Sequence, residues 1–214
     1  MSSNSTYNDF PFVKKNKKRQ RETATDKLVL IEEKFIYTIG NEIHFSANIN
    51  KASIQGIIKE ITKIIQEHKK KSDGEPDKLT ITYIVDSPGG SVTSILKFVD
   101  FIHLIKSKYN WIEFVSIITG LAASAGTIMA ICADKRYMTK YAHAMVHELA
   151  SGNSGKYTEM GSYMKFLDKL HDKLVNIYVE KTNKEREEIE KIMRKETWFT
   201  AEEYKELGFI EEIK

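Results

Sequence analysis

FVSIITGLAASAGTIMAICA, residues 114–133, runs for twenty residues without a charge. That is about the length of a membrane-spanning helix, but its parts ask for different structures. The β-branched FVSIIT (114–119) suits a buried strand, whereas GLAASAG (120–126) is a run of small residues with glycine at each end. A buried strand, a turn and the start of a buried helix near Ser124 account for this order better than a span does.

The same strand–turn–helix unit recurs on either side. TITYIV (80–85) predicts a strand, SPGG (87–90) a turn and residues 91–106 a helix, before the strand Ile112–Ile118. Upstream, Phe35–Ile39 and Glu42–Phe45 read as short strands. Ile54, Ile57, Ile58, Ile61, Ile64 and Ile65 then fall at helical spacing, and the charged HKKKSDGEPDK (68–78) is expected to break that helix as a loop. Downstream, Arg136–Thr139 and Ala144–His147 are expected strands. After the turn SGNSG (151–155), a long helix is expected over about residues 156–180, with Met160, Met164, Leu167, Leu170, Leu174 and Ile177 in one stripe. At 1.5 Å per residue it is a rod on the order of 37 Å, long for a small domain and suited to packing against another subunit. Thr182 with Glu185, and Thr200 with Glu203, read as capping boxes. Gly208 ends the last helix, and FIEEI (209–213) reads as a final strand. This alternation argues for α/β layers with largely parallel strands.

The 214 residues fit one domain with a sizeable core. Residues 1–27 read as a polar tail carrying Lys14, Lys15, Lys17, Lys18, Arg19 and Arg21. It is expected to be a solvated arm, with a nucleic-acid or partner contact as the alternative, ahead of a body at 28–214. A net charge of +3 is too small to imply nucleic-acid binding. The single cysteine, Cys132, has no internal partner, and no export signal opens the chain. The expectation is therefore the cytoplasm or another reducing intracellular compartment, with no membrane association. No pair of histidines has the spacing of HExxH, so no metal is expected. No Gly-rich nucleotide motif is present either.

Three segments carry residues suited to chemistry. Ser124 stands where a strand yields to a helix among small neighbours. Free backbone N–H groups there favour a nucleophile and its oxyanion, and a plain serine N-cap in a packed core is equally consistent. DSPGG (86–90) has two glycines able to present outward amides to an oxyanion, or to form an ordinary strand–helix turn. His147 ends AMVH (144–147); a histidine at a strand end can be structural or basic. Ser124 and His147 each follow an apolar strand, so parallel neighbouring strands would bring them to one edge.

Taken together, SPGG (87–90), GLAASAGT (120–127) and AMVHELASG (144–152) resemble the ClpP peptidases in order and spacing. The pattern continues through the long helix and WFTAEEYKELGFIEEI (198–213), so the likeness covers about residues 30–214. It implies a crotonase-like α/β fold of repeated ββα units with a protruding handle helix at about 156–180. It also implies a serine endopeptidase working without a cofactor, in heptameric rings stacked as a tetradecameric chamber. A separate AAA+ ATPase unfoldase would feed it unfolded polypeptide. Carried over by position, Ser124 is the nucleophile, His147 the general base, and Gly89 and Ala125 the oxyanion-hole donors. The substrate strand lies between Gly90–Val92, which includes Ser91, and Leu149–Gly152, which includes Ala150.

This chain departs from the pattern at the third triad member, where Glu196 stands in place of aspartate, with Asp168 and Asp172 as lesser candidates. It departs again after the histidine, where Glu148-Leu149 replaces Gln-Pro. The alternative is a ring subunit that has lost catalysis and serves assembly or adaptor binding. A crotonase acting on an acyl-CoA and an α/β-hydrolase, hinted at by Ala122-x-Ser124-x-Gly126, are the enzymatic rivals.

Overall fold

A computed structural model describes residues 35–72, 74, 76–182 and 184–214. The expected basic tail (1–27) and residues 28–34 of the expected body lie outside the described residues. The described chain opens with a hairpin, β1 (Ile36–Ile39) and β2 (Glu42–Phe45), turned at Gly40 with φ of 60°. There follow α1 (Lys51–Lys71), β3 (Leu79–Ser87), α2 (Val92–Lys108), β4 (Ile112–Ala123) and α3 (Ala125–Ile131). Then come β5 (Lys135–Met138), β6 (His143–Val146), α4 (Tyr157–Thr182), α5 (Arg186–Arg194), β7 (Thr197–Phe199), α6 (Ala201–Glu206) and β8 (Glu212–Ile213).

The strands form one sheet in the order β1-β2-β3-β4-β5-β8, parallel from β2 onward. Burial alternates along β3: Leu79, Ile81, Tyr83, Val85 and Ser87 are buried while residues between them are less so. Against this face α1 lays Ile54, Ile57, Ile61, Ile64 and Ile65, and α2 lays Ile95, Phe98 and Ile102, all buried. Each such side chain removed from water contributes roughly 1.5–3 kcal/mol.

The feature that positions the site is a fork in β4. Its first half, Val115–Ile118, pairs with β5, and its second half, Leu121–Ala123, pairs in parallel with β6. Gly120, with φ of 67°, sits at the branch, where a Cβ would come 2.9 Å from Asp86 Oδ1. Leu121 N–H donates to that same oxygen at 3.2 Å. β6 is sealed on its other side by antiparallel β7.

Four expectations change. The strand after Trp111 does not stop at Ile118 but runs on through the small residues to Ala123, because β6 supplies a second pairing partner. Residues 68–71 are helical rather than loop; His68, Lys69, Lys70 and Lys71 fill the last turn of α1, where cations meet the negative end of the helix dipole. The Thr182–Glu185 capping box does not form. Thr182 remains in α4 with its hydroxyl donated to Tyr178 C=O, and the box is instead Glu185 with Glu188 at the start of α5. In FIEEI only Glu212–Ile213 is strand, since Phe209 and Ile210 are buried in the core beside it. Among the described residues no helix is long and apolar enough to cross a membrane.

Candidate active site

Ser124 follows β4 directly and precedes α3, with φ of 54° and ψ of −122°. A non-glycine residue held at positive φ costs on the order of 1–3 kcal/mol. The surroundings hold it there: Ser124 N–H donates to Met145 C=O at 2.8 Å, and its C=O accepts Thr127 N–H at 3.0 Å. Although it occupies the N-cap position, its side chain makes no capping bond. The hydroxyl instead lies 2.8 Å from His147 Nε2. An ordinary N-cap serine would have extended backbone and would bond to the amides of the first turn, as Ser91 does at the start of α2 with Ser94 N–H. Ser124 is therefore not a structural cap.

His147 owes its place to the fork. Ala123 pairs with Met145 in the parallel register, so the residues that leave the two strands emerge side by side. His147 is half-buried and its Nε2 faces the serine. Among the described residues its Nδ1 has no hydrogen-bond partner. Glu196 lies one step beyond the Val146–Thr197 pair, which puts it opposite His147 across β6 and β7. Its own φ is 46°, and its carboxylate is exposed and bonded to nothing among the described residues. Asp172 is held by Arg186, which also binds Glu190. Asp168 is exposed on α4 without a partner among the described residues.

The glycine pair packs onto the serine turn. A Cβ on Gly89 would fall 2.5 Å from Ala123 C=O and 2.7 Å from Ser124 Cβ; one on Gly90 would fall 2.2 Å from Ile49 C=O. Gly89 N–H, expected as an oxyanion donor, is buried and already donates to Ser87 Oγ at 3.2 Å. Gly90 differs. Ile49 N–H donates to Gly89 C=O and Ser91 N–H donates to Ile49 C=O, each at 2.7 Å. This parallel bridge leaves Gly90's own N–H on the far side, unbonded among the described residues. Ala125 N–H, at the first turn of α3, is likewise unbonded.

These residues border a cleft of about 330 Å³. Gly90, Ala125, Leu149 and Ala150 line it together with Ser124 and His147, and its apolar walls come from Val92, Ile95, Ile128, Leu174 and Met193. Ser91 does not line it. Its N–H is spent on Ile49 and its C=O accepts Ile95 N–H, so it serves as the cap of α2. The backbone of residues 148–150 makes no hydrogen bond among the described residues and is free to pair. Reading the sequence missed Tyr178 and Met193 as cleft residues, since each looks like one more apolar position on a helix. Among the described residues no group of three or more His, Cys, Asp or Glu is placed to hold a metal ion.

Residues 38–214 match the family model described as Clp protease. The chain belongs to the Clp protease family. Its curated relatives include the ATP-dependent Clp protease proteolytic subunit 1 of Chlamydia pneumoniae, 29% identical over 175 residues, covering 80% of this chain and 85% of that protein. The subunit of the same name from Protochlamydia amoebophila is 32% identical over 169 residues, covering 77% and 78%. That from Chlamydia muridarum is 30% identical over 175 residues, covering 80% and 84%. The α/β fold with its forked β4 is thus the fold of a Clp protease family member, and the family is one of peptidases.

Proposed function

We propose that this chain is a serine endopeptidase subunit that cuts polypeptide through an acyl-enzyme, with Ser124 as nucleophile and His147 as general base. The observation that carries this reading is the 2.8 Å contact between Ser124 Oγ and His147 Nε2, made from a serine held at positive φ with no capping bond of its own. His147 takes the hydroxyl proton as Oγ attacks the scissile carbonyl, and returns it to the leaving amine. The amides of Ala125 and Gly90 hold the developing oxyanion, Gly90 replacing Gly89 because the latter's N–H is engaged. Each donor is worth roughly 3–4 kcal/mol in comparable sites. The substrate backbone runs beside Gly90 and the unpaired 148–150 segment, with an apolar side chain in the cleft.

Glu196 takes the third position. Its register opposite His147 supports this, and Asp172 is committed elsewhere. Glu196→Gln is expected to lower kcat about 10–100-fold, whereas Asp168→Asn should leave it within about 2-fold. The chamber of stacked heptameric rings and the separate AAA+ ATPase unfoldase belong to the same proposal; the relatives' own name carries "ATP-dependent".

The test is labelling with a fluorophosphonate probe together with turnover of a short fluorogenic peptide, an acyl-CoA and an ester. Labelling of wild type, its loss in Ser124→Ala, and peptide turnover reduced about 1,000-fold or more in His147→Ala are expected. Assembled particles that fail to label would overturn the enzyme reading in favour of an inactive ring subunit.

A further inference from the structure

The cleft has a polar connection behind the nucleophile. Thr127 Oγ1 donates to Ser124 C=O at 2.6 Å, and Tyr178 OH lies 2.6 Å from that same Thr127 Oγ1. Both side chains are buried, Thr127 at 0% and Tyr178 at 3% exposure. Thr127 has one hydroxyl hydrogen and gives it to Ser124, so the phenol must be the donor in the second bond. Burial pushes the Tyr178 phenol above its ordinary value, which keeps that proton in place.

The geometry points to Tyr178 and Thr127 as positioning residues for the oxyanion site, acting through the Ser124–Ala125 peptide. This inference rests on the serine-peptidase reading. A trans peptide is planar, with its C=O and N–H directed oppositely. Gripping Ser124 C=O from behind therefore aims Ala125 N–H into the cleft. Successive hydrogen bonds along Tyr178, Thr127 and the peptide also polarise that N–H. The grip further holds Ser124 at its positive φ, where no capping bond of its own helps. Tyr178 comes from α4, so the nucleophile turn is tethered to the helix that lies farthest from it in sequence among those lining the cleft, apart from α5 with Met193.

Steady-state kinetics on assembled Thr127→Val, Thr127→Ser and Tyr178→Phe, each checked for melting temperature and particle mass, test this. Thr127→Val keeps the shape and loses the donor; its kcat should fall about 10-fold with KM changed less than about 2-fold. Affinity for a peptide aldehyde, whose adduct carries the oxyanion, should fall in parallel. Tyr178→Phe should lose about 3-fold, and Thr127→Ser should regain most of the wild-type rate. Wild-type kcat in both Thr127→Val and Tyr178→Phe would overturn the inference, as would loss of rate in Thr127→Ser equal to that in Thr127→Val. If Thr127→Val does not fold, Tyr178→Phe against wild type decides alone, unchanged kcat overturning the inference. A wild type that neither labels nor turns over peptide would instead overturn the peptidase reading on which this stands.

Discussion

Gly89 and Gly90 bring one backbone against another more closely than any side chain allows. Gly89→Ala would drive a methyl into Ala123 C=O at a φ of 93°. It should destabilise the fold by roughly 2–4 kcal/mol, measured by urea denaturation, and abolish probe labelling even in the protein that stays folded. Cys132 illustrates the opposite case of a reactive group kept idle. It is 2% exposed, and burial pushes its thiol up to about 12. Because only the thiolate attacks, iodoacetamide at pH 8 should leave the native protein unmodified and label it once urea unfolds it. Rapid native labelling, followed by mass spectrometry, would contradict the burial described.

α3 is only seven residues long and carries Ser124 at its head, so its orientation must be imposed from outside. Two buried hydroxyls do this at its far end. Tyr83 OH donates to Met129 C=O at 3.1 Å and Ser116 Oγ donates to Ala130 C=O at 2.7 Å. Tyr83→Phe leaves a buried carbonyl without its partner and should cost about 1–3 kcal/mol, read as a lower denaturation midpoint with unchanged slope. The fork in β4 works with these clamps. Both emerging ends, toward Ser124 and toward His147, are anchored in one sheet rather than on independent loops, which suits a contact that must hold to within about 0.5 Å.

The long α4 is buried only from Leu170 onward, at Leu174, Val175, Tyr178 and Thr182. Its N-terminal half carries Tyr157, Met160, Met164 and Phe166 in the open, and Leu104 of α2 is 67% exposed nearby in the same groove as Phe166. Apolar surface of this kind on a folded subunit is ordinarily covered by a partner. If the proposed chamber of two stacked heptameric rings covers it, sedimentation should find a particle of roughly 350 kDa, fourteen copies of a 24.7 kDa chain. Met164→Glu should shift it toward smaller species while circular dichroism of the subunit is preserved. A wild-type monomer at micromolar concentration would remove the chamber from the proposal.

Much of this was legible in the chain before any coordinates. The isoleucine stripe of α1, the alternating β3 and the small-residue run at Ser124 each report a local choice, because apolar periodicity and turn chemistry act over a few neighbouring residues. Ser124 and His147 stood out by their places at the ends of apolar strands, and the resemblance assigned their roles as nucleophile and base. What the chain could not disclose was the second pairing of β4. The parallel seat of β6 beside Leu121–Ala123 depends on which strand fills a fork opened by Gly120 and Asp86. Long-range contacts also decide that Gly90 bridges Ile49, that Glu196 stands in register opposite His147, and that Tyr178 reaches Thr127 from 51 residues away. No window of sequence contains both partners of such contacts, so packing alone creates them.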